Sequence, residues 1–289
     1  MTQQIPVPEE AVAGKALEDG VWEIAPDLAF QRLAIVNVIL WGQPRMPGWV
    51  LIDAGLPGSA GSIRAAARAR FGGHPPAAIV MTHGHFDHVG ALATLAEEWK
   101  APVYAHPLEH PYLNGSASYP PPDPWVGGGV MSLLSPGFPR SPVDVAAWLR
   151  ALPEDGGLPP MPEWQWVHTS GHAPGHVSLW RERDRTLISG DAVITTAQEA
   201  AYGAATQAVE LHGPPKYFTP DWEAARESAR RLAALEPELL VTGHGRALRG
   251  EPMRAALHQL ARDFDKVAVP ERGRYVRNPA RAEDGSAYR

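Results

Sequence analysis

The sequence predicts an α/β protein, and three observations carry that expectation. Short apolar runs are bounded by glycine, proline or aspartate, helix-period segments lie between them, and the chemistry-bearing histidines and aspartates stand just past the runs. Loops at the carboxyl ends of strands are where α/β proteins keep their ligands, so one shared site at one edge is expected.

In chain order, residues 1–20 carry neither a basic n-region nor an apolar h-region and do not read as a secretory signal. No stretch approaches the roughly 20 apolar residues of a spanning helix, so a cytoplasmic protein with no membrane partner is the expectation. Val21–Ile24, Leu33–Trp41 and Trp49–Asp53 read as strands, the last ending in Asp53-Ala54-Gly55. Ser62–Phe71, with alternating alanine and arginine, reads as an exposed helix. Ala77–Met81 is a buried strand, Gly90–Trp99 a helix, and Val103–His106 another short strand. Prolines, glycines and tryptophans then dominate about 107–162, including Tyr119 to Gly129, with a short helix expected over Val143–Leu152. A long irregular segment inside one domain is usually functional or disordered; its aromatic content favours the first and predicts an insertion that folds over the site and shapes the substrate pocket. Trp164–Thr169, Val177–Arg181, Thr186–Gly190 and Glu238–Thr242 complete the strands. Thr219 or Asp221 caps a helix running to about Leu235, Met253–Val267 is an amphipathic helix, and a basic, polar and mobile tail follows from about 272. The whole is read as a single domain over 1–289.

Composition narrows the function. The formal charge is −6, without the basic stripe of a nucleic-acid binder. With no cysteine, disulfides, thiolate ligands and cysteine nucleophiles are excluded together. Any metal site must be built from histidine and carboxylate.

The stretch Thr82-His83-Gly84-His85-Phe86-Asp87-His88-Val89-Gly90 places three imidazoles and a carboxylate on a strand-to-helix loop. Neutral imidazole and carboxylate are the donors a borderline divalent ion such as zinc prefers. His83 and His85 can converge on one ion, while Asp87 and His88 point away toward a second. A helix cap with surface histidines explains Asp87 alone and not its neighbours.

His-Gly-His-Phe-Asp-His resembles the HxHxDH signature of the metallo-β-lactamase superfamily. Thr169-Ser-Gly-His172-Ala-Pro-Gly-His176, then Ser189-Gly-Asp191, then Thr242-Gly-His244-Gly245 are similar to its further motifs, in the family's order. The resemblance implies an αββα sandwich of two mixed β-sheets with flanking helices. It implies one metal on His83, His85 and His172, a second on Asp87, His88 and His244, and Asp191 bridging them. Asp53 is implied to support the site from behind, and His176 to stand beside it, while His168 and His176 compete with His172 as ligand. The implied cofactor is two divalent ions, zinc above manganese or iron.

The implied reaction is hydrolysis of a small-molecule ester, lactone, thioester or amide by hydroxide held between the ions, with Asp87 as the catalytic residue that orients it. The partner is a small-molecule substrate, and the oligomeric state is unknown. Ala192-Val193-Ile194 lacks the tyrosine that lactonases of the family often carry there. Arg246, Arg249 and Arg254 are a loose counterpart of a glutathione-binding cluster. The alternative is an iron-dependent oxidoreductase on the same fold.

Overall fold

The computed structural model describes residues 5–18, 20–127, 129–198 and 209–289. Two large sheets organise it. The first has eight strands in sequential order: β2 (Lys15–Ala16), β3 (Val21–Ala25), β4 (Leu28–Leu33), β5 (Val36–Trp41), β6 (Val50–Ile52), β7 (Ala78–Val80), β8 (Val103–Ala105) and β9 (Leu149–Ala151). The second runs β10 (Gln165–His168), β11 (Val177–Arg181), β12 (Thr186–Ile188), β14 (Leu239–Val241) and β15 (Leu248–Arg249). Both are mixed, with β6, β7, β8 and β9 parallel in the first and β12 parallel to β14 in the second. A small third pairing joins β1 (Ile5–Pro6) to β13 (Glu210–Leu211).

Side-chain alternation sets the layers, because successive strand residues face opposite sides. In β5 and β6, Val38, Leu40 and Leu51 pack with α1 (Ala60–Phe71) and the helix Leu92–Trp99, while Ile39, Val50 and Ile52 face the other way. That second face meets Val177, Leu179, Ile188, Leu239 and Val241 of the five-stranded sheet. Trp180, Leu187 and Leu240, on the far side, pack against the helices Trp222–Ala234 and Gly250–Val267. Three hydrophobic clusters therefore separate four layers, helix, sheet, sheet and helix, as the αββα expectation requires. Strands buried on both faces read as continuous apolar runs, which is why each stood out in the sequence.

Several local expectations are corrected. Leu33–Trp41 is not one strand: β4 ends at Leu33 and β5 begins at Val36, with Ala34 in the left-handed region at φ 57°. The turn carries no glycine, proline or asparagine, so nothing in the sequence punctuates it. The Gly90–Trp99 helix begins at Leu92 as α3 (Leu92–Trp99), and a separate short helix not expected there, α2 (Phe86–Val89), precedes it. Helix α1 buries Ile63, Ala66, Ala67 and Phe71 and is exposed on one face only.

Val143–Leu152 is not a helix. Asp144 bridges to Asn114, and β9 adds to the edge of the sheet beside β8, a tertiary pairing that overrides local preference. The tail is packed rather than mobile: Tyr275, Ala280 and Ala287 are buried, and Arg281 pairs with Asp221 at 2.6 Å. Among the described residues no helix is long and apolar enough to cross a membrane.

Candidate metal centre

Five of the strands deliver the site. Asp53 follows β6, His83 to His88 follow β7, His172 lies between β10 and β11, Asp191 follows β12 and His244 follows β14. Asp53 adopts φ 60°, which turns its carboxylate beneath the β7 loop, and Ala54 N–H donates to His88 O at 2.7 Å. His85 stands in extended conformation just ahead of α2, so Asp87 and His88 leave on its first turn; His88 does not point away from the first pair as expected, since its ring centroid lies 4.2 Å from that of His83. The Asn37 side chain donates to Thr242 O at 2.9 Å and Gly245 O at 2.8 Å, which holds the His244 loop from a strand of the other sheet.

These loops converge. His83, His85 and His172 offer nitrogens within 4.8 Å of one another, and the donor atoms of His83, His88 and Asp191, and of Asp87, His88 and His244, lie equally close. Asp191 stands between the groups: its carboxylate is 3.5 Å from His172 Nε2, 3.5 Å from His88 Nε2 and 3.0 Å from His244 Nε2. His244 Nε2 is also 3.4 Å from Asp87. All seven side chains are buried.

The orientation of each ring is set from outside. His83 Nδ1 is 3.0 Å from Thr82 Oγ1, whose hydroxyl donates to Asp53 at 2.7 Å, and His88 Nδ1 is 2.8 Å from the same carboxylate oxygen. Since that hydroxyl is spent on Asp53, Thr82 accepts from His83. Asp53 thus keeps a proton on Nδ1 of both histidines and leaves both Nε2 atoms facing inward. His244 Nδ1 meets Ile35 O at 2.6 Å, and His172 Nδ1 meets Thr219 Oγ1 at 3.3 Å. Thr219, which the sequence offered as a helix cap, serves the site instead, while Asp221 caps the helix by accepting from Glu223 and Ala224 N–H.

His176 has a different role. Its Nε2 accepts the Asp191 N–H at 2.9 Å and its Nδ1 bonds Thr169 Oγ1 at 2.9 Å, so both nitrogens are committed and it belongs to none of the convergent groups. His168 bonds Pro174 O and stacks on His106, outside the cluster.

Charge divides the site in two. Burial and the neighbouring imidazoles hold His83 and His172 well below the usual histidine range and His85 at about 3, so these three are neutral. Burial also disfavours charge on His88 and His244, but Asp191 and the other carboxylates outweigh it and raise both. The same imidazoles hold Asp191 well below the carboxylate range against its burial.

The donor set fits a divalent metal. His83 Nε2, His88 Nε2 and Asp191 Oδ1 are buried with no hydrogen-bond partner among the described residues, and such groups are costly unless something else satisfies them. His85 Nδ1 and His172 Nε2 face each other at 2.9 Å, a contact that a shared cation would explain.

Rings that the sequence reading did not single out wall the cluster. Tyr119 of the 107–162 insertion packs on His85 at 4.2 Å between centroids, Phe218 stacks on His85 at 4.8 Å, and Phe138 stacks on Phe86 at 5.4 Å. The tryptophan in the insertion's most proline-rich stretch, Trp125, points into solvent. Glu109, buried between Gly84 and Gly175, was also not anticipated; it carries no motif signal. Arg246, Arg249 and Arg254 do not form a cluster. They engage Glu9, Ile24 O and Glu238 separately. A cavity of about 450 Å³ lies behind the His172 loop beside Pro174, Asp221 and Arg281, and none of the seven donors lines it.

A four-layer αββα fold with histidine and aspartate loops at one sheet edge defines a metallohydrolase class, and the chain belongs to the metallo-β-lactamase superfamily, whose family model matches residues 35–244. Among relatives, it is 49% identical over 248 residues to a protein of Bacillus subtilis (strain 168) named probable metallo-hydrolase YflN, covering 85% of this chain and 94% of that one. It is 30% identical to probable metallo-hydrolase YybB of the same organism, over 59% of this chain and 64% of that one. Among solved structures, TTHA1623 in a di-iron-bound form shares 29% identity at a TM-score of 0.50, covering 78% of this chain and 92% of that one. A B3 metallo-β-lactamase with an active-site glutamic acid superposes at a TM-score of 0.59 with 20% identity, over 90% of this chain and 92% of that one, a likeness of fold.

Proposed function

We propose that the protein is a dinuclear metal-dependent hydrolase acting on a carbonyl ester, lactone, thioester or amide of a small molecule. The observation that carries this reading is the set of seven convergent donors, four of whose imidazoles, His83, His88, His172 and His244, have their outward nitrogens held by Thr82, Asp53, Thr219 and Ile35. In this reading His83, His85 and His172 would hold one ion, Asp87, His88 and His244 the other, and Asp191 would be shared by both.

The bound ions would supply Lewis acidity and lower the pKa of a water. The chain's own residues do the rest. Asp87, buried beside His88 and His244, is the carboxylate placed to orient the attacking water. Tyr119, Phe138 and Phe218 form an apolar wall that excludes bulk water and receives the substrate's non-reacting part.

Zinc is the reading the imidazole-rich donor set favours. Iron is the second reading, favoured by the di-iron form of the 29% identical TTHA1623. The test is hydrolysis of a panel of lactones, thioesters and a chromogenic β-lactam by protein loaded with each metal in turn. Turnover of one substrate class that a chelator abolishes supports the proposal. Oxygen uptake on a thiol substrate by iron-loaded protein, with no hydrolysis by any loaded form, would replace it with oxidoreduction.

A further inference from the structure

Glu109 is the buried acidic side chain that ties two of the metal loops together without being one of the seven donors. It is 1% exposed. Its Oε2 accepts the Gly84 N–H at 3.0 Å, and its Oε1 accepts the Gly175 N–H at 2.7 Å. Gly84 separates His83 from His85, and Gly175 follows His172 by three positions. One carboxylate therefore spans two loops that come from different sheets.

Tyr119 completes the link. Its hydroxyl donates to Glu109 Oε2 and accepts the Gly84 N–H at 2.8 Å, while its ring packs against His85. The fit is close: a Cβ on Gly175 would lie 2.9 Å from Glu109 Cγ, and one on Gly84 3.0 Å from the Tyr119 hydroxyl oxygen, so either would force its neighbour to shift. The glycines of the two sequence motifs are thus explained by the strut that crosses them. Tyr112 stacks on Tyr119 at 3.7 Å and donates to Ala287 O at 2.6 Å, so the C-terminal tail backs the strut from outside.

We propose that Glu109, assisted by Tyr119, is a positioning residue that sets the His83–His85 loop against the His172 loop and thereby preorganises the three-histidine half of the site. The inference rests on the reading that these histidines share one ion. Its physical basis is that three neutral imidazoles must be held with their nitrogens converging before any cation arrives, and the two loops that carry them are joined here through backbone amides. The other half is oriented by Asp53 and Ile35 O, and neither contact passes through Glu109. Loss of the strut should therefore act on one half only.

The experiment introduces Glu109→Gln into two backgrounds, His244→Ala, which keeps His83, His85 and His172, and His172→Ala, which keeps Asp87, His88 and His244. Zinc is titrated into metal-free protein against a chromogenic chelator. The glutamine amide has one acceptor oxygen, so at most one of the two bonds to the glycine amides survives. Zinc affinity is expected to fall about tenfold or more in the His244→Ala background and to stay within about twofold in the other. Equal loss in both backgrounds, or none in either, overturns the inference while leaving the metal reading intact. Failure of the unsubstituted protein to bind zinc or iron would instead remove that reading. If circular dichroism shows that Glu109→Gln does not fold, Tyr119→Phe takes its place: a smaller loss confined to the His244→Ala background supports the strut, and an unselective result or no loss refutes it.

Discussion

Replacing Asp53 with asparagine tests how the site is held from behind. Asp53 is fully buried and accepts three hydrogen bonds, from Thr82 N–H at 2.8 Å, Thr82 Oγ1 at 2.7 Å and His88 Nδ1 at 2.8 Å. Asparagine keeps the shape and tolerates the φ of 60°. It can still accept from the Thr82 amide through its oxygen. At the other position its NH₂ faces His88 Nδ1, and two donors cannot pair, so His88 must move its proton to Nε2. That is the nitrogen proposed to bind metal. Outer partners of this kind are worth about 10–100-fold in metal affinity, or roughly 1.4–2.8 kcal/mol.

Asp53→Asn should therefore weaken zinc binding by that factor, read by competition with a chromogenic chelator, while circular dichroism stays unchanged. Asp53→Ala should do more, since it leaves His88 and Thr82 donors unpaired in the interior, at a cost of about 3–5 kcal/mol in chelator-treated protein. An asparagine variant that binds metal within about twofold of the parent would refute the tautomer argument.

Further outcomes follow from the same geometry. His172→Ala should empty one metal position, whereas His176→Ala should keep both and lower affinity modestly through Asp191; elemental analysis showing the reverse would exchange their roles. Burial pushes the Glu109 carboxyl up to about 7, against the pull of the Tyr119 hydroxyl and the Gly175 and Gly84 amides. A folded-state pKa raised above the ordinary glutamate value of 4.5 means that this contribution to stability is full below about pH 4.5 and is lost as pH rises through about 7. The difference in melting temperature between metal-free parent and Glu109→Gln should therefore change across that window and be flat above it, and a difference independent of pH would contradict the shift. Phe71→Ala removes a buried ring stacked on Trp49 at 4.6 Å and should cost about 3–5 kcal/mol by denaturant melts. Arg64→Ala, which breaks an exposed pair with Glu98, should cost under about 1 kcal/mol in the same assay.

The sequence made the metal cluster legible because its donors are local motifs on the loops that strands feed. All seven side chains named from the motifs are brought together, and His176 stands apart from them with both nitrogens bonded. The supporting contacts were legible only in part. Asp53 sits in a turn motif, but Thr219, Glu109 and Tyr119 act through pairings 25 or more residues distant, and no local pattern marks them. The fold was read well where strands are buried on both faces and poorly elsewhere. The turn at Ala34 has no turn residue, β9 owes its conformation to the neighbouring β8, and the polar tail is held by contacts such as Tyr112 with Ala287 that composition does not encode.

The most direct test of the central reading is the metal-to-protein ratio of purified protein, measured by elemental analysis for the parent, His172→Ala and His244→Ala after dialysis against metal-free buffer. Two divalent ions per chain in the parent and one in each variant are predicted. A parent holding a single ion, or a His244→Ala variant that still holds two, would contradict a dinuclear centre built on these residues.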